Sequence, residues 1–410
     1  MGLTMGERKA VTREVRERYR RARKKVKGRI LDEFCTLTGY NRCYGARVLR
    51  DRAGGRSAAG AKRGVGRRSK YGAEVLGPLK KVWAVADGMC GKRLTVIMPE
   101  MIRKLERFGE ISLGREVRGL LMEMSGSTVD RLLAGERKKM QLKRRSGTKP
   151  GSLLKSQIPV RTFSEWNEGA PGFFEVDLVA HDGGDARGEY AQTLDMVDVC
   201  SGWTETRAVK NKAQVWVFEA LKEVREALPF PLLGLDCDNG AEFINAQLLR
   251  YCQENHFTFT RSRPYRKNDS CHVEQKNWSV VRRTVGYHRY DTGEQLDTLN
   301  RLYAIVRLYT NFFQPSMKLV EKTRIGSKLT KRYDKPQTPY QRLLGSEQLP
   351  AQVKYHLSEL YEALNPAQLQ RDISSLQERL HALVLKQSRT SAKEVTPPTN
   401  FEYISADATN

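Results

Sequence analysis

The sequence has no run approaching the roughly 18 consecutive apolar residues that a membrane helix needs, which excludes an integral helical membrane protein. Its opening, MGLTMGERKA, has no apolar segment of the kind that directs secretion, so a cytoplasmic protein in a reducing compartment is expected. Cysteine is sparse and scattered. The seven residues Cys35, Cys43, Cys90, Cys200, Cys237, Cys252 and Cys271 form no C-x-x-C pair, so neither a disulfide framework nor a zinc knuckle is readable. The six histidines are equally dispersed, and zinc is not expected.

Acid is scarcest in the first third. The 410 residues hold 72 Lys+Arg and 47 Asp+Glu, a net charge of +25. Residues 1–150 carry 39 basic and 15 acidic side chains, whereas the remaining 260 carry 33 and 32. A solvated face normally mixes signs. A one-sided surplus is the footprint of a polyanion, since each phosphate neutralised releases condensed counterions. Membrane-surface binding would want an amphipathic helix with a bulky apolar face, and Arg13–Arg29 has little of one. Nucleic acid is the expected partner, and no membrane is.

Two helix-turn-helix patterns lie in this basic third. In residues 1–50, Gly28–Leu37 reads as a helix with Ile30, Leu31 and Phe34 inward. Thr38-Gly39-Tyr40-Asn41 reads as a turn, and Arg42–Arg50 as a second helix with Ala46 and Leu49 inward. In residues 71–145, Val117–Met124 is followed by Ser125-Gly126-Ser127-Thr128 and then by Val129–Lys139. There Val129, Leu132 and Leu133 make an apolar stripe, and Arg131, Arg137, Lys138 and Lys139 face out. The second helix of such a unit fits a major groove, so Arg42, Arg47, Arg131, Arg137 and Lys138 are candidate DNA contacts. A plain helical hairpin explains either pattern alone. Residues 51–70, rich in Gly, Ala, Ser and Arg, cannot build a core. They read as a flexible basic linker in which Arg63, Arg67 and Arg68 either track DNA or sit in a bland tether.

From Pro171 the period changes. Gly172–Ala180, Tyr190–Val199 and Trp203–Val209 read as strands, Ala213–Leu228 as a helix, and Leu232–Cys237 as a short strand. Glu242–Asn255 returns to helix, Phe257–Ser262 to strand, and Cys271–Val285 to helix. Three strands in series followed by alternation describe a mixed-sheet α/β domain, taken as residues 165–315.

Three acids stand out within it. Asp177 lies inside the first strand among Val176, Leu178 and Val179, where a charge is costly without a partner or metal. Asp238 follows the fourth strand beside Asn239-Gly240, at the carboxyl edge where open α/β sheets keep their sites. Glu274 sits in the first turn of the last helix, capped by Asn268, Asp269 or Ser270. Singly, each has a structural reading as a salt-bridged strand acid, a turn former or a dipole partner. Together, in this order on these elements, they suit divalent cations. Asp236 shares a strand face with Asp238 and is set aside as a ligand. Asp182 and Asp185 read as solvated, Asp195 and Asp198 as partners of basic neighbours, and Trp278 as core.

The segments FEVDLVAHDG, LDCDNGAEF and RPYRKNDSCHVEQKN resemble the three acidic motifs of the DDE transposases and retroviral-type integrases, with 35 residues between Asp238 and Glu274. The likeness covers Pro171–Arg289. It implies a core like that of RNase H, with Asp177, Asp238 and Glu274 as catalytic residues and as ligands of two Mg²⁺ ions, Mn²⁺ being a substitute. It implies Mg²⁺-dependent DNA cleavage and strand transfer, as in bacterial insertion-sequence transposases, and a homo-oligomer on paired ends. Unlike retroviral integrases, the chain lacks an N-terminal His/His/Cys/Cys zinc module and carries the helix-turn-helix pair instead.

Arg263, Arg266, Lys267, Lys276 and Asn277 surround the acids as further DNA-binding candidates, Asn277 either touching DNA or orienting Glu274. After the core, residues 316–345 read as a small basic module and residues 346–390 as helical. Ile373, Leu376, Leu380 and Leu383 form a stripe there, open between an internal packing face and an oligomer contact. Residues 391–410 are polar and expected to be disordered. The expectation is a multidomain α+β DNA transposase acting on the element's terminal inverted repeats and on target DNA. The rivals are a nuclease of the RNase H type without strand transfer, and a DNA-binding regulator with a vestigial core.

Overall fold

The structure is a computed structural model. It describes residues 3–50, 70–139, 160–161, 169–238, 240–262, 271–325 and 328–394. The expected contacts Arg63, Arg67, Arg68, Arg263, Arg266 and Lys267, and the tail 395–410, lie outside the described residues. Among the described residues no helix is long and apolar enough to cross a membrane. The chain forms two compact units, Met1–Lys70 and Tyr71–Asn410.

The first unit consists of helices Met5–Arg21 (α1), Lys24–Thr38 (α2) and Arg42–Arg50 (α3). Its core is the set the periodicity selected, Ile30, Leu31, Phe34, Ala46 and Leu49, joined by Tyr19 from α1. Gly39 ends α2 in left-handed backbone at φ 69°, a conformation costing roughly 1–2 kcal/mol for residues with a Cβ. Asn41 then opens α3, its Oδ1 accepting the backbone N–H of Cys43 at 2.8 Å and of Tyr44 at 3.3 Å. This leaves Arg42, Tyr44, Arg47 and Arg50 exposed on α3. Arg42 is paired with Asp32, and the Arg47 guanidinium lies 5.1 Å from the Tyr44 ring centroid.

The second unit begins with Ala73–Val85 (α4), Gly91–Arg107 (α5), Arg115–Met122 (α6), Gly126–Leu132 (α7) and Ala134–Lys139 (α8). The single helix expected over Val129–Lys139 is broken at Leu133. The break keeps Val129 and Leu133 buried while Arg137 turns back to the protein. Arg137 pairs with Asp130 at 2.7 Å and donates to the Met89 carbonyl at 2.9 Å, which corrects its expected outward position. Arg131 and Lys138 are exposed, as expected. The helices α5 and α7 touch at Gly91 and Gly126, where a Cβ on Gly91 would overlap the Gly126 carbonyl. These helices share one apolar core with the sheet that follows. Arg93 also reaches Gln314 at 3.2 Å, and Arg103 pairs with Glu362 at 2.8 Å.

The sheet contains Val160–Arg161 (β1), Phe173–Ala180 (β2), Gln192–Asp198 (β3), Thr204–Val209 (β4), Gly234–Cys237 (β5) and Thr258–Ser262 (β6), in the order β1-β6-β5-β2-β3-β4. β2, β3 and β4 run antiparallel, whereas β2, β5, β6 and β1 run parallel. The helices Gln214–Ala227 (α9) and Ala246–Glu254 (α10) make the parallel crossovers. The mixed α/β architecture expected from the sequence is the one observed. α10 starts later than its apolar pattern, because Asn245 caps it through an Oδ1 bond from the Leu248 N–H at 2.9 Å.

The continuous helix expected over Cys271–Val285 is three pieces. An α-helical turn, Cys271–Lys276 (α11), widens into a π-helix over Asn277–Arg282 and closes with Arg283–Val285 (α12). A π-turn shifts every later side chain around the axis, and such turns cluster at functional sites. Trp278, expected in the core, is consequently 44% exposed.

The helix Gly293–Phe313 (α13) covers the edge strand β4, where Asn300 and Asn311 bond the backbone of Ala208 and Thr204. A hairpin follows, Leu319–Ile325 (β7) and Lys328–Tyr333 (β8), and then Pro339–Gly345 (α14), Ala351–Ala363 (α15) and Pro366–Glu394 (α16). α16 lies along α13. Ile373 and Leu380 are buried there and Leu376 packs on the same core, so these three of the four stripe residues face their own chain.

Candidate active site

Strand pleating puts Glu175 and Asp177 on one face of β2. The register sets Asp195 of β3 opposite Asp177, and Asp236 of β5 opposite Glu175. Cross-strand partners share a face, so four carboxylates gather on one side of the sheet, with Asp238 just past the end of β5. The α11 segment and its π-turn cover that face. Glu175 Oε2 accepts the N–H groups of His272 and Val273, both at 2.8 Å. Asn277 Nδ2 donates to Asp177 Oδ2 at 2.6 Å, and Asp177 Oδ1 accepts the Leu178 N–H at 2.8 Å. The Glu274 side chain is exposed in the first turn of α11.

Electrostatics ties the three expected acids together. Burial first, and then the charge of Asp238, push Asp177 up to about 7, with Glu274 adding to the rise. Burial likewise raises Asp238. Glu242, in the turn after Gly240, is raised by burial and by Asp238. Among the described residues, no three His, Cys, Asp or Glu side chains already stand within one ligand shell. The donor set nonetheless fits a hard divalent cation. It consists of carboxylate oxygens whose ionisation is opposed by burial and by one another, and a cation relieves both penalties.

Behind these acids lies a deeper set, of which the sequence leaves Glu175 unmarked, sets Asp236 aside as a ligand and pairs Asp195 with a basic neighbour. Glu175 is fully buried, and burial pushes it up to about 8 against the pull of the two backbone N–H bonds. Asp236 remains in the sheet, 2% exposed, and accepts the Thr260 hydroxyl at 2.5 Å. Asp195 is fully buried and raised well above the ordinary range by burial, with the Lys276 ammonium opposing the rise. The Glu-x-Asp alternation in β2 was a readable sign of the first. The pairing of Asp195 with Asp177 was not, because register between distant segments is a tertiary property.

Several expected contacts are placed differently. Lys276 is half-buried, and its charge acts on Asp195. Asn277 holds Asp177, not Glu274. Farther along the same segment, Arg282 donates to the Ala180 carbonyl at 2.6 Å and Arg283 pairs with Asp87 at 3.0 Å. Asp198 accepts from Gly172 N–H and from Ser201, closing a turn, and the charge of Lys318 acts on it as the basic neighbour expected. Asp185 is exposed, as expected, and pairs with Arg187 at 2.7 Å. The thiol of Cys237 is buried and raised well above its usual range by burial, the opposite of what a nucleophilic cysteine needs.

The Integrase core domain family matches residues 168–267, the stretch that holds β2 to β6. The uncharacterized protein y4rM of Sinorhizobium fredii (strain NBRC 101917 / NGR234) is 42% identical over 340 residues, which is 83% of this chain and 96% of that protein. Among solved structures, the catalytic core domain of BIV integrase is 17% identical, covering 43% of this chain and 97% of its own, with a TM-score of 0.29. The HTLV-2 integrase catalytic core domain, solved with magnesium in a dimeric form, is 16% identical, covering 42% of this chain and 95% of its own, with a TM-score of 0.27.

Proposed function

Because the chain belongs to the superfamily of DDE transposases and retroviral-type integrases, we propose that it is the DNA transposase of a bacterial mobile element. In this reading it binds the element's terminal repeats, cuts DNA and joins the ends to a target. The catalytic residues are Asp177, Asp238 and Glu274. The observation that carries the reading is that Asn277, one turn beyond Glu274, bonds Asp177 at 2.6 Å while Asp238 follows β5, the strand paired beside Asp177's own β2.

Asp177, Asp238 and Glu274 would hold the divalent ions, magnesium by preference for an all-oxygen donor set. Such ions, when bound, supply the charge that activates an attacking oxygen and steadies a leaving one. The chain's own residues set the stage for that. Asn277 and the Leu178 N–H fix the Asp177 carboxylate from two sides. Glu175 grips the first turn of α11 and so sets the height of Glu274 over the sheet. No serine or tyrosine nucleophile is required, because water and a DNA 3′-hydroxyl serve as the attacking groups. Arg42, Arg47, Arg131 and Lys138 supply DNA contacts outside the site, and two or more protomers meet on paired ends.

The test is an incubation of the protein with labelled candidate ends, a supercoiled plasmid and Mg²⁺. Joined products carrying the label support strand transfer. Cleavage without joining supports a nuclease, and binding alone supports a regulator.

A further inference from the structure

The hairpin β7–β8 contributes little to any core. Its root is tightly held. Ser316 and Gln337 exchange backbone bonds of 2.8 and 3.0 Å, and Asp334 accepts the Lys318 N–H at 2.7 Å. Arg342, its side chain 10% exposed, donates to Asp334 at 2.7 Å and to the Ser316 carbonyl at 3.0 Å. Beyond the root, Val320–Arg324 and Leu329–Tyr333 are exposed, Val320 at 56% and Tyr333 at 45%. Among the described residues no third strand pairs with the two. A lone hairpin is marginal in water and leaves open edges, so this arm is better explained by something it holds.

Charge identifies what that is. From Lys318 to Lys335 the sequence has seven basic residues and two acidic ones. The register sorts them by face. Glu321 and Arg332 are opposite one another and form an ion pair of 3.0 Å. On the other face Lys322 is opposite Lys331, and Arg324, two residues on from Lys322, lies on the same side. Like charges directly across a ladder repel, and an anion lying between them removes that cost. Among the described residues no carboxylate pairs with Lys322, Arg324 or Lys331.

We infer that the Lys322/Arg324/Lys331 face of this hairpin is a contact for the phosphates of target DNA, read without regard to sequence. This rests on the function proposed above. A two-stranded ribbon is narrow enough to lie along a duplex or enter its major groove. Exposed lysines act as point charges and follow phosphates of any sequence, which is what an indifferent target requires.

The experiment measures affinity of the full-length protein for a short random-sequence duplex across a salt titration. The triple variant Lys322→Ala, Arg324→Ala, Lys331→Ala is compared with wild type and with the opposite-face variant Arg332→Ala. Loss of three phosphate contacts should make the log-affinity against log-salt slope shallower by about 2–3, with Arg332→Ala changing it by less than 1. Should the triple variant misfold, Lys331→Glu alone should still reduce duplex affinity. Slopes equal to wild type, with Lys331→Glu binding normally, overturn the inference. So does a face that binds polyglutamate and ignores DNA, since its partner would then be an acidic protein. A wild-type protein that binds no duplex at all overturns the proposed function along with it.

Discussion

Asn277 Nδ2 lies 2.6 Å from Asp177 Oδ2 and joins the first turn of the π-helix to the centre of β2. The contact sets the orientation of one carboxylate from a residue one turn beyond another, Glu274. Asn277→Ala should lower strand-transfer activity roughly 10–100-fold, the usual cost of losing a partner of a metal ligand, while DNA affinity is kept. Asn277→Asp should be worse, since it adds a charge where Asp177 is already hard to ionise. An Asn277→Asp protein as active as wild type would contradict this role.

The acids themselves are tested by charge removal at constant shape. Asp177→Asn, Asp238→Asn and Glu274→Gln should each abolish cleavage and joining but leave duplex binding within about threefold, because no phosphate is contacted through a carboxylate. Joined product from any one of the three would remove that residue from the set.

His181 offers a pH test away from those acids. It is fully buried, its Nε2 lies 2.7 Å from the Thr193 hydroxyl, and burial lowers it to about 3. The unfolded chain takes up a proton there near pH 6.5 and the folded chain does not. The stability contributed by His181 is therefore full above pH 6.5 and falls as the pH drops toward 3, by about 1.4 kcal/mol per pH unit at most, against the opposite trend of the raised Asp177 and Glu175. The difference between denaturant titrations of wild type and His181→Gln should show that fall. Parallel curves for the two proteins would show that this imidazole titrates normally.

The N-terminal unit should contribute a salt-sensitive share of DNA binding through α3. Arg47→Ala with Arg50→Ala should weaken binding of labelled element ends and make the salt slope shallower by about 2. Thermal melting of the variants should match wild type, since both side chains are exposed. Unchanged end binding would assign α3 to a purely structural hairpin.

The stripe on α16 should behave as core. Leu380, 2% exposed, should cost about 2–5 kcal/mol when changed to Ala, read as a loss of denaturant midpoint. The mass of the protein in solution should not change. Dissociation of an oligomer by Leu380→Ala at constant stability would restore the stripe as an interface.

The sequence by itself determined what depends on local spacing. Periodicity of two or near four selected the strands of the core and the inward residues of α2 and α3, because burial of one face is decided within a few neighbours. The DNG turn and the capped helix marked Asp238 and Glu274, and an acid inside an apolar strand marked Asp177. Tertiary structure decided the rest. Only the β2–β3 register could bring Asp195 opposite Asp177, and only packing of α11 on the sheet could turn Asn277 to Asp177, Lys276 toward Asp195 and Trp278 to solvent. The same holds for Arg137, whose partners Asp130 and Met89 come from its own neighbourhood in space, and for Leu380, whose stripe meets α13. Amphipathic pattern states that a face must be covered. Which surface covers it depends on contacts between segments far apart in the chain, and no local rule contains them.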